Sequence, residues 1–116
     1  MDIYEEIKAW VEGVLGAADI DHLRHTPEAA GLFPQGVQVL RSWEDVVGQK
    51  KRRVRYSFLL RLILPPGDRA VVLLLHIQDQ AARAGYAAAD GKLKKAASDG
   101  LAIYEIRLSA EREEML

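Results

Sequence analysis

The stretch Arg53-Val54-Arg55-Tyr56-Ser57-Phe58-Leu59-Leu60-Arg61-Leu62-Ile63-Leu64 decides the fold of this chain. Side chains alternate between the two faces of an extended strand, so the even-numbered positions, which are all apolar or aromatic, share one face. The other face carries Arg53, Arg55 and Arg61. The pattern predicts a strand that buries one face in a core and presents cations on the other.

The neighbouring segments predict an antiparallel sheet. An extended segment precedes the stretch, and a turn over residues 48–51 joins the two into a long hairpin. Two further strands meet at Asp99-Gly100, a two-residue hairpin turn. The four predicted strands cover 37–47, 53–64, 92–98 and 101–110.

Two helices complete the predicted fold. One covers 3–15, capped by Asp2 and ended by Gly16. The other starts at Asp68 as its cap and runs to about Arg83. The order α-β-β-α-β-β predicts an α+β domain, a four-stranded antiparallel sheet with both helices packed on one face. Residues 17–36 are predicted to be a loop, and residues 1–116 a single domain.

Composition narrows the class of protein. The 116 residues suffice for one core, and the formal charge of −1 gives no overall attraction to polyanions. The absence of cysteine excludes disulfides and thiolate metal sites. The longest apolar run, 70–75, is far shorter than the roughly 20 residues that span a bilayer. These features predict a soluble protein made in the cytoplasm, without a membrane partner.

Residues suited to catalysis are few. The imidazoles are His22, His25 and His76, and the first two have a spacing that is weak evidence for a metal site without a third ligand. His76 lies in an apolar helical pattern, which predicts a partly buried, hydrogen-bonded histidine. No nucleophile elbow and no glycine-rich phosphate loop is present. The sequence therefore predicts no enzyme, no metal and no cofactor.

Charge is unevenly distributed along the chain. Cations crowd the hairpin, and carboxylates gather near the C-terminus. Such polarity suits head-to-tail contact between copies, although two solvated surfaces that happen to differ would look the same. The candidate interface residues are Arg53, Arg55, Arg61, Glu111, Glu113 and Glu114.

Two alternatives stay open at this point. The basic segment 50–55 could contact phosphates, giving a nucleic-acid-binding accessory protein with salt-dependent affinity. Tyr56 alternates onto the apolar face, however, so no aromatic ring is presented for base stacking, which disfavours this partner. A small ligand-binding domain, with a pocket under residues 17–36, is the last alternative.

Two blocks carry a resemblance to a known family. They are Gly31-Leu32-Phe33-Pro34-Gln35-Gly36 with the strand that follows it, and Gly91-Lys92-Leu93-Lys94-Lys95-Ala96-Ala97-Ser98-Asp99-Gly100. With the opening Met1-Asp2-Ile3-Tyr4-Glu5-Glu6-Ile7, they resemble small prophage proteins of Gram-positive gut bacteria, encoded among the head–tail and tail genes. These are labelled minor capsid or tail-completion proteins.

The resemblance implies a part of a tailed-phage particle, of the tail-terminator or head–tail joining type. Such proteins have a small α+β fold and assemble as rings, often hexameric, on the tail tube or the connector. The implied partners are further copies of the chain and these phage components. The implied location is the bacterial cytoplasm during assembly, and then the virion. The family brings no catalytic residues.

Overall fold

The computed structural model describes residues 2–16, 29–96 and 100–116. In this part of the chain the four strands form one antiparallel sheet with the order β1-β2-β4-β3. The predicted α+β class, with two helices and an antiparallel sheet, is confirmed. The elements are α1 (Ile3–Leu15), β1 (Ala29–Glu44), β2 (Lys50–Leu64), α2 (Asp68–Ala84), β3 (Ala87–Ala96) and β4 (Ala102–Met115).

The core lies between the sheet and both helices. Even-numbered residues of β2 and β4 face it in register, with Leu60 opposite Ile106, and both side chains are fully buried. Ile7 of α1 and Ile77 of α2 belong to the same buried cluster. Because one cluster includes both helices and one face of the sheet, the helices cover the same face. We call the opposite side of the sheet the open face.

The caps of the two helices can be compared with those predicted from the local sequence. The Asp2 side chain accepts from the Glu5 backbone N–H at 2.8 Å, and Gly16 ends α1 in a left-handed conformation, both as predicted. Asp68 is not the cap of α2, and that prediction is wrong. Gly67 occupies the N-cap, and Asp68 is already helical, one position too late for a capping side chain.

Several strand boundaries differ from prediction. β1 ends at Glu44 rather than at 47, and β2 already begins at Lys50, so the predicted turn over 48–51 is wrong at 50 and 51. β4 extends to Met115 rather than ending at 110. β1 begins at Ala29, so the predicted loop is wrong over 29–36. Pro34 looks like a turn residue, but an edge strand tolerates proline, and a bulge follows it before Gly36. β3 covers Ala87–Ala96 rather than 92–98. The rest of the predicted loop, with both of its histidines, lies outside the described residues.

One end of the sheet projects as an arm. β3 pairs with β4 only as far as the Ala87–Ser109 pair. Beyond it three strands continue, and we call residues 36–56 and 110–116 the arm. The molecule measures 59 × 22 × 22 Å, and its radius of gyration is 16.4 Å. A compact domain of this length has a radius of gyration of about 13 Å. The arm therefore extends well beyond the helix-covered body.

Candidate interaction surface

The open face of the arm carries a ladder of ion pairs between β2 and β4. Arg53 Nε lies 3.4 Å from Glu111 Oε1, and Arg53 Nη1 lies 3.6 Å from Glu113 Oε1. Arg55 Nη2 approaches Glu111 Oε1 at 4.0 Å. All four side chains are partly exposed, so each pair contributes little to stability by itself. The structure thus brings four of the six candidate interface residues together.

Arg61 lies elsewhere. It is six residues from Arg55 on the same strand, which is roughly 20 Å. Its Nη2 is 2.9 Å from Glu105 Oε2, and its guanidinium lies 5.4 Å from the centre of the Phe33 ring. Arg61 is therefore part of the open face of the body and not of the arm.

Glu114 points to the opposite face, the one that carries the helices. It accepts from the Tyr56 hydroxyl, and Glu114 Oε1 lies 3.0 Å from Arg52 Nη2. The hydroxyl, followed by the Arg52 guanidinium, holds the pKa of Glu114 below its ordinary value. The same hydrogen bond raises the pKa of Tyr56. The Glu114 carboxylate therefore lies on the opposite face of the sheet from the ladder carboxylates, Glu111 and Glu113.

The expectation of two separate charge patches is wrong. The basic hairpin and the acidic C-terminal segment are adjacent strands of one sheet, with Arg53 opposite Glu113 and Arg55 opposite Glu111. Their charges therefore pair within the chain. That the six residues contact another molecule stays a prediction.

The base of the arm is fixed to α1 by a polar cluster. Glu6 accepts from the Tyr86 hydroxyl at 2.9 Å and from the Arg112 guanidinium. These donors, Tyr86 first, hold the pKa of Glu6 below its ordinary value of 4.5. Burial, and then the Glu6 hydrogen bond, raises the pKa of Tyr86. Trp10 packs edge-on against the Tyr86 ring, with centroids 5.2 Å apart. The arm is thus attached to the body by side chains as well as strands.

The stability of the protein should fall in acid because of these carboxylates. The pKa values of Glu6 and Glu114 are lowered from 4.5, so their contribution is complete above pH 4.5 and is lost as the pH falls through the lowered values. We expect the free energy of unfolding, measured in denaturant at several pH values, to decrease below pH 4.5. Glu6→Gln should make that decrease shallower, and an unchanged slope would contradict the assignment.

The tip of the arm is a hydrogen-bonded turn with exposed apolar side chains. Asp45 Oδ1 accepts from the backbone N–H groups of Val47 and Gln49, at 3.0 and 2.9 Å. These bonds, Gln49 first, hold the pKa of Asp45 below its ordinary value. Lys51 Nζ lies 3.4 Å from the second oxygen. The exposed apolar residues at the tip are Val46, Val47, Met115 and Leu116.

Trp43 lies beside the tip, on the open face. It pairs with Lys51 across the hairpin, and the Arg41 guanidinium lies 4.8 Å from the centre of its ring. Lys51 in turn pairs with Met115 of β4. Tryptophan, arginine and methionine are enriched in protein–protein interfaces, so this end of the arm has the composition of a docking surface.

No protein-family model matches the chain, and no curated protein matches its sequence.

Metal-ligating side chains do not cluster in the part of the chain that the structure describes. Within those residues no group of three or more histidine, aspartate or glutamate side chains could hold a metal ion. His76 is exposed on α2, so the prediction that it is partly buried is wrong. No helix over the same residues is long and apolar enough to cross a membrane.

Sequence reasoning missed the tip and the unpaired strand edges. Asp45 preceding Val46-Val47-Gly48 was the available signal for the tip, because an aspartate that caps a turn commonly accepts backbone bonds two residues on. The edges could not be found from the sequence, because they depend on which strands are neighbours.

Proposed function

We propose that this protein is a structural component of a tailed bacteriophage or prophage particle, of the tail-terminator or head–tail joining type. It acts by self-association and by docking to the tail tube or the connector, and it catalyses no reaction. The observation that carries the proposal is the projecting arm, whose tip holds four exposed apolar side chains, two on the turn that Asp45 stabilises and two at the end of β4.

The free energy needed to order the arm supports a role in interaction with a partner. A three-stranded extension orders its backbone at roughly 1–2 kcal/mol per residue. It returns less burial than the body does, since Val37 and Val39 are 68% and 52% exposed on its helix side. Exposed apolar patches larger than a few hundred Å² on soluble proteins commonly mark interaction sites. An arm of this kind is suited to being covered in an assembly.

The alternative, a nucleic-acid-binding accessory protein, is less well supported. Arg52, Arg53 and Arg55 each contact a carboxylate of β4. A phosphate would have to displace those carboxylates, so the basic segment offers little net charge for counterion release.

Size-exclusion chromatography with light scattering, together with negative-stain microscopy, tests the proposal. We expect mass to rise with concentration toward a discrete oligomer that appears as rings. A chain that stays monomeric at about 1 mM would have less than roughly 4 kcal/mol of association energy and would contradict the proposal. Tight DNA binding at about 50 mM salt that is lost at about 200 mM would favour the alternative instead.

A further inference from the structure

β4 has an unpaired edge along the arm. Leu116 N–H donates to the Lys50 carbonyl at 2.9 Å, and the β2–β4 register is continuous. Backbone direction alternates along a strand, so the N–H and C=O groups of Glu111, Glu113 and Met115 point away from β2. The Arg112 guanidinium donates to the Glu111 carbonyl, as expected for an outward group. Beyond Ser109 no described strand covers this edge.

β1 offers the second unpaired edge. It pairs with β2 alone within the described residues. The same alternation directs the backbone groups of β1 outward at Val37, Val39, Ser42 and Glu44. An exposed strand edge is a template for pairing with another chain. The arm therefore has one such edge on each side.

The two edges match in direction and in face. β1 and β4 are both antiparallel to β2, so they run parallel to each other. Outward backbone groups of β4 belong to residues whose side chains lie on the open face, whereas those of β1 belong to residues on the helix side. In a parallel pair, a residue whose backbone groups point toward the neighbouring strand lies level with a residue whose backbone groups point away from it. Level residues of β4 and of the next copy's β1 therefore have their side chains on the same face, the open one. Copies related by rotation can thus pair with their helices on one common side.

The side chains on the two edges are also complementary. On the open face, side chains of β1, β2 and β4 that lie opposite one another form rows across the arm. When two copies pair in register, the β4 residue of a row in one copy lies beside the β1 residue of the same row in the next copy. The three meeting pairs are Glu113 with Arg41, Glu111 with Gln38, and Met115 with Trp43. They give an ion pair, a hydrogen bond and a sulfur–aromatic contact. Glu113 would then lie between Arg53 of its own copy and Arg41 of the next.

We propose that the β4 edge of the arm, Ala110 to Met115, pairs in parallel with the β1 edge of a second copy, so that the arms form one continuous sheet. This inference rests on the proposed self-association and names its surfaces. The interface joins two different edges, so it is heterologous and repeats around a ring. Because β3 makes the body wider than the arm by one strand, about 4.8 Å, neighbouring bodies lie farther apart than neighbouring arms.

Cysteine cross-linking tests the pairing directly, since the natural chain has no cysteine. Gln38→Cys and Glu111→Cys are prepared as two single variants, mixed and oxidised under mild conditions. Level residues on neighbouring strands are about 4.8 Å apart, within the Cα–Cα range of a disulfide. We expect the mixed pair to give a cross-linked heterodimer band at least about tenfold stronger than Glu111→Cys mixed with Ala82→Cys, a position exposed on α2.

The outcomes separate the inference from the proposed function. Assemblies in light scattering without the Gln38–Glu111 cross-link would overturn the edge pairing and leave the assembly role standing. Predominant cross-linking of Glu111→Cys with itself would replace it by a symmetric contact between β4 edges. Absence of both assemblies and cross-links would overturn both.

A proline at Glu113 tests the backbone contribution separately. Its outward N–H makes no bond to β2, so Glu113→Pro removes a donor from the edge and spares the pairing within the chain. Glu113→Ala is the matched control, because it removes the same carboxylate and keeps the N–H. We expect the proline variant to associate about tenfold more weakly than the alanine variant in sedimentation equilibrium. Equal association would contradict a role for this edge.

Discussion

Replacing Leu60 with alanine is expected to reduce the free energy of unfolding by about 2–5 kcal/mol. Leu60 is completely buried. It lies between Leu32 of β1 and Ile106 of β4, and it belongs to the cluster that both helices complete. Removing its side chain loses apolar burial and leaves a cavity that the surrounding sheet cannot fully close. Denaturant unfolding followed by circular dichroism measures the loss.

Leu59→Ala is the matched control. Leu59 is the preceding residue, with the same side chain, but it points to the open face and is only partly buried. We expect it to cost about 1 kcal/mol or less, because the site is open to solvent and no closed cavity forms. Equal losses at the two positions would show that the open face is covered in the isolated chain, and would contradict the single-sided packing.

The face assignment of β2 was predictable because one physical rule determines it. Period-two alternation predicted the side chains that are now seen in the core, with Phe58, Leu60 and Leu62 buried. Tyr56 follows the same alternation yet is only partly buried. It lies in the arm, where its hydroxyl reaches Glu114. Alternation predicts which face of the sheet a side chain lies on, but whether the side chain is buried depends on the elements that pack against that face.

The charge pattern shows why the candidate site was only partly predictable. Arg53 and Glu111 are 58 residues apart in the chain, and a sequence gives no direct sign that β2 and β4 are neighbours. The composition therefore suggested two distant patches, and the strand order makes them one ladder. The start of β1 was missed for a related reason, since Pro34 is a turn signal only until it is known to lie on an edge strand.

Reversing Arg53 and Arg55 to glutamate is expected to lower the free energy of unfolding by about 1–2 kcal/mol, and to weaken assembly because it loosens the pairing of β2 with the β4 edge. The double variant places the new carboxylates opposite Glu111 and Glu113, and like charges directly opposite on neighbouring strands are destabilising. Except for Ala110, the arm lies outside the main core cluster, so the body should remain folded, which thermal unfolding and circular dichroism check.

Reversing the charges of Glu111 and Glu113 as well distinguishes ion pairs within the chain from ion pairs between copies. Adding Glu111→Arg and Glu113→Arg restores opposite charges across β2 and β4, so the stability should return to within about 0.5 kcal/mol of the natural chain. Assembly should not return, because Arg41 of the next copy would then face an arginine at position 113. Recovery of assembly in this fourfold variant would contradict the proposed contact between copies.

Adding Arg41→Glu to the fourfold variant restores opposite charges at the proposed contact between copies. The row across the arm then has every charge inverted, so the new carboxylate at position 41 of one copy would face the new guanidinium at position 113 of its neighbour, and assembly should recover. The ion pair would form again with opposite polarity, while the backbone edges are unchanged. Light scattering at equal concentrations compares the three variants with the natural chain. A fivefold variant that is stable but monomeric would show that positions 41 and 113 do not meet between copies.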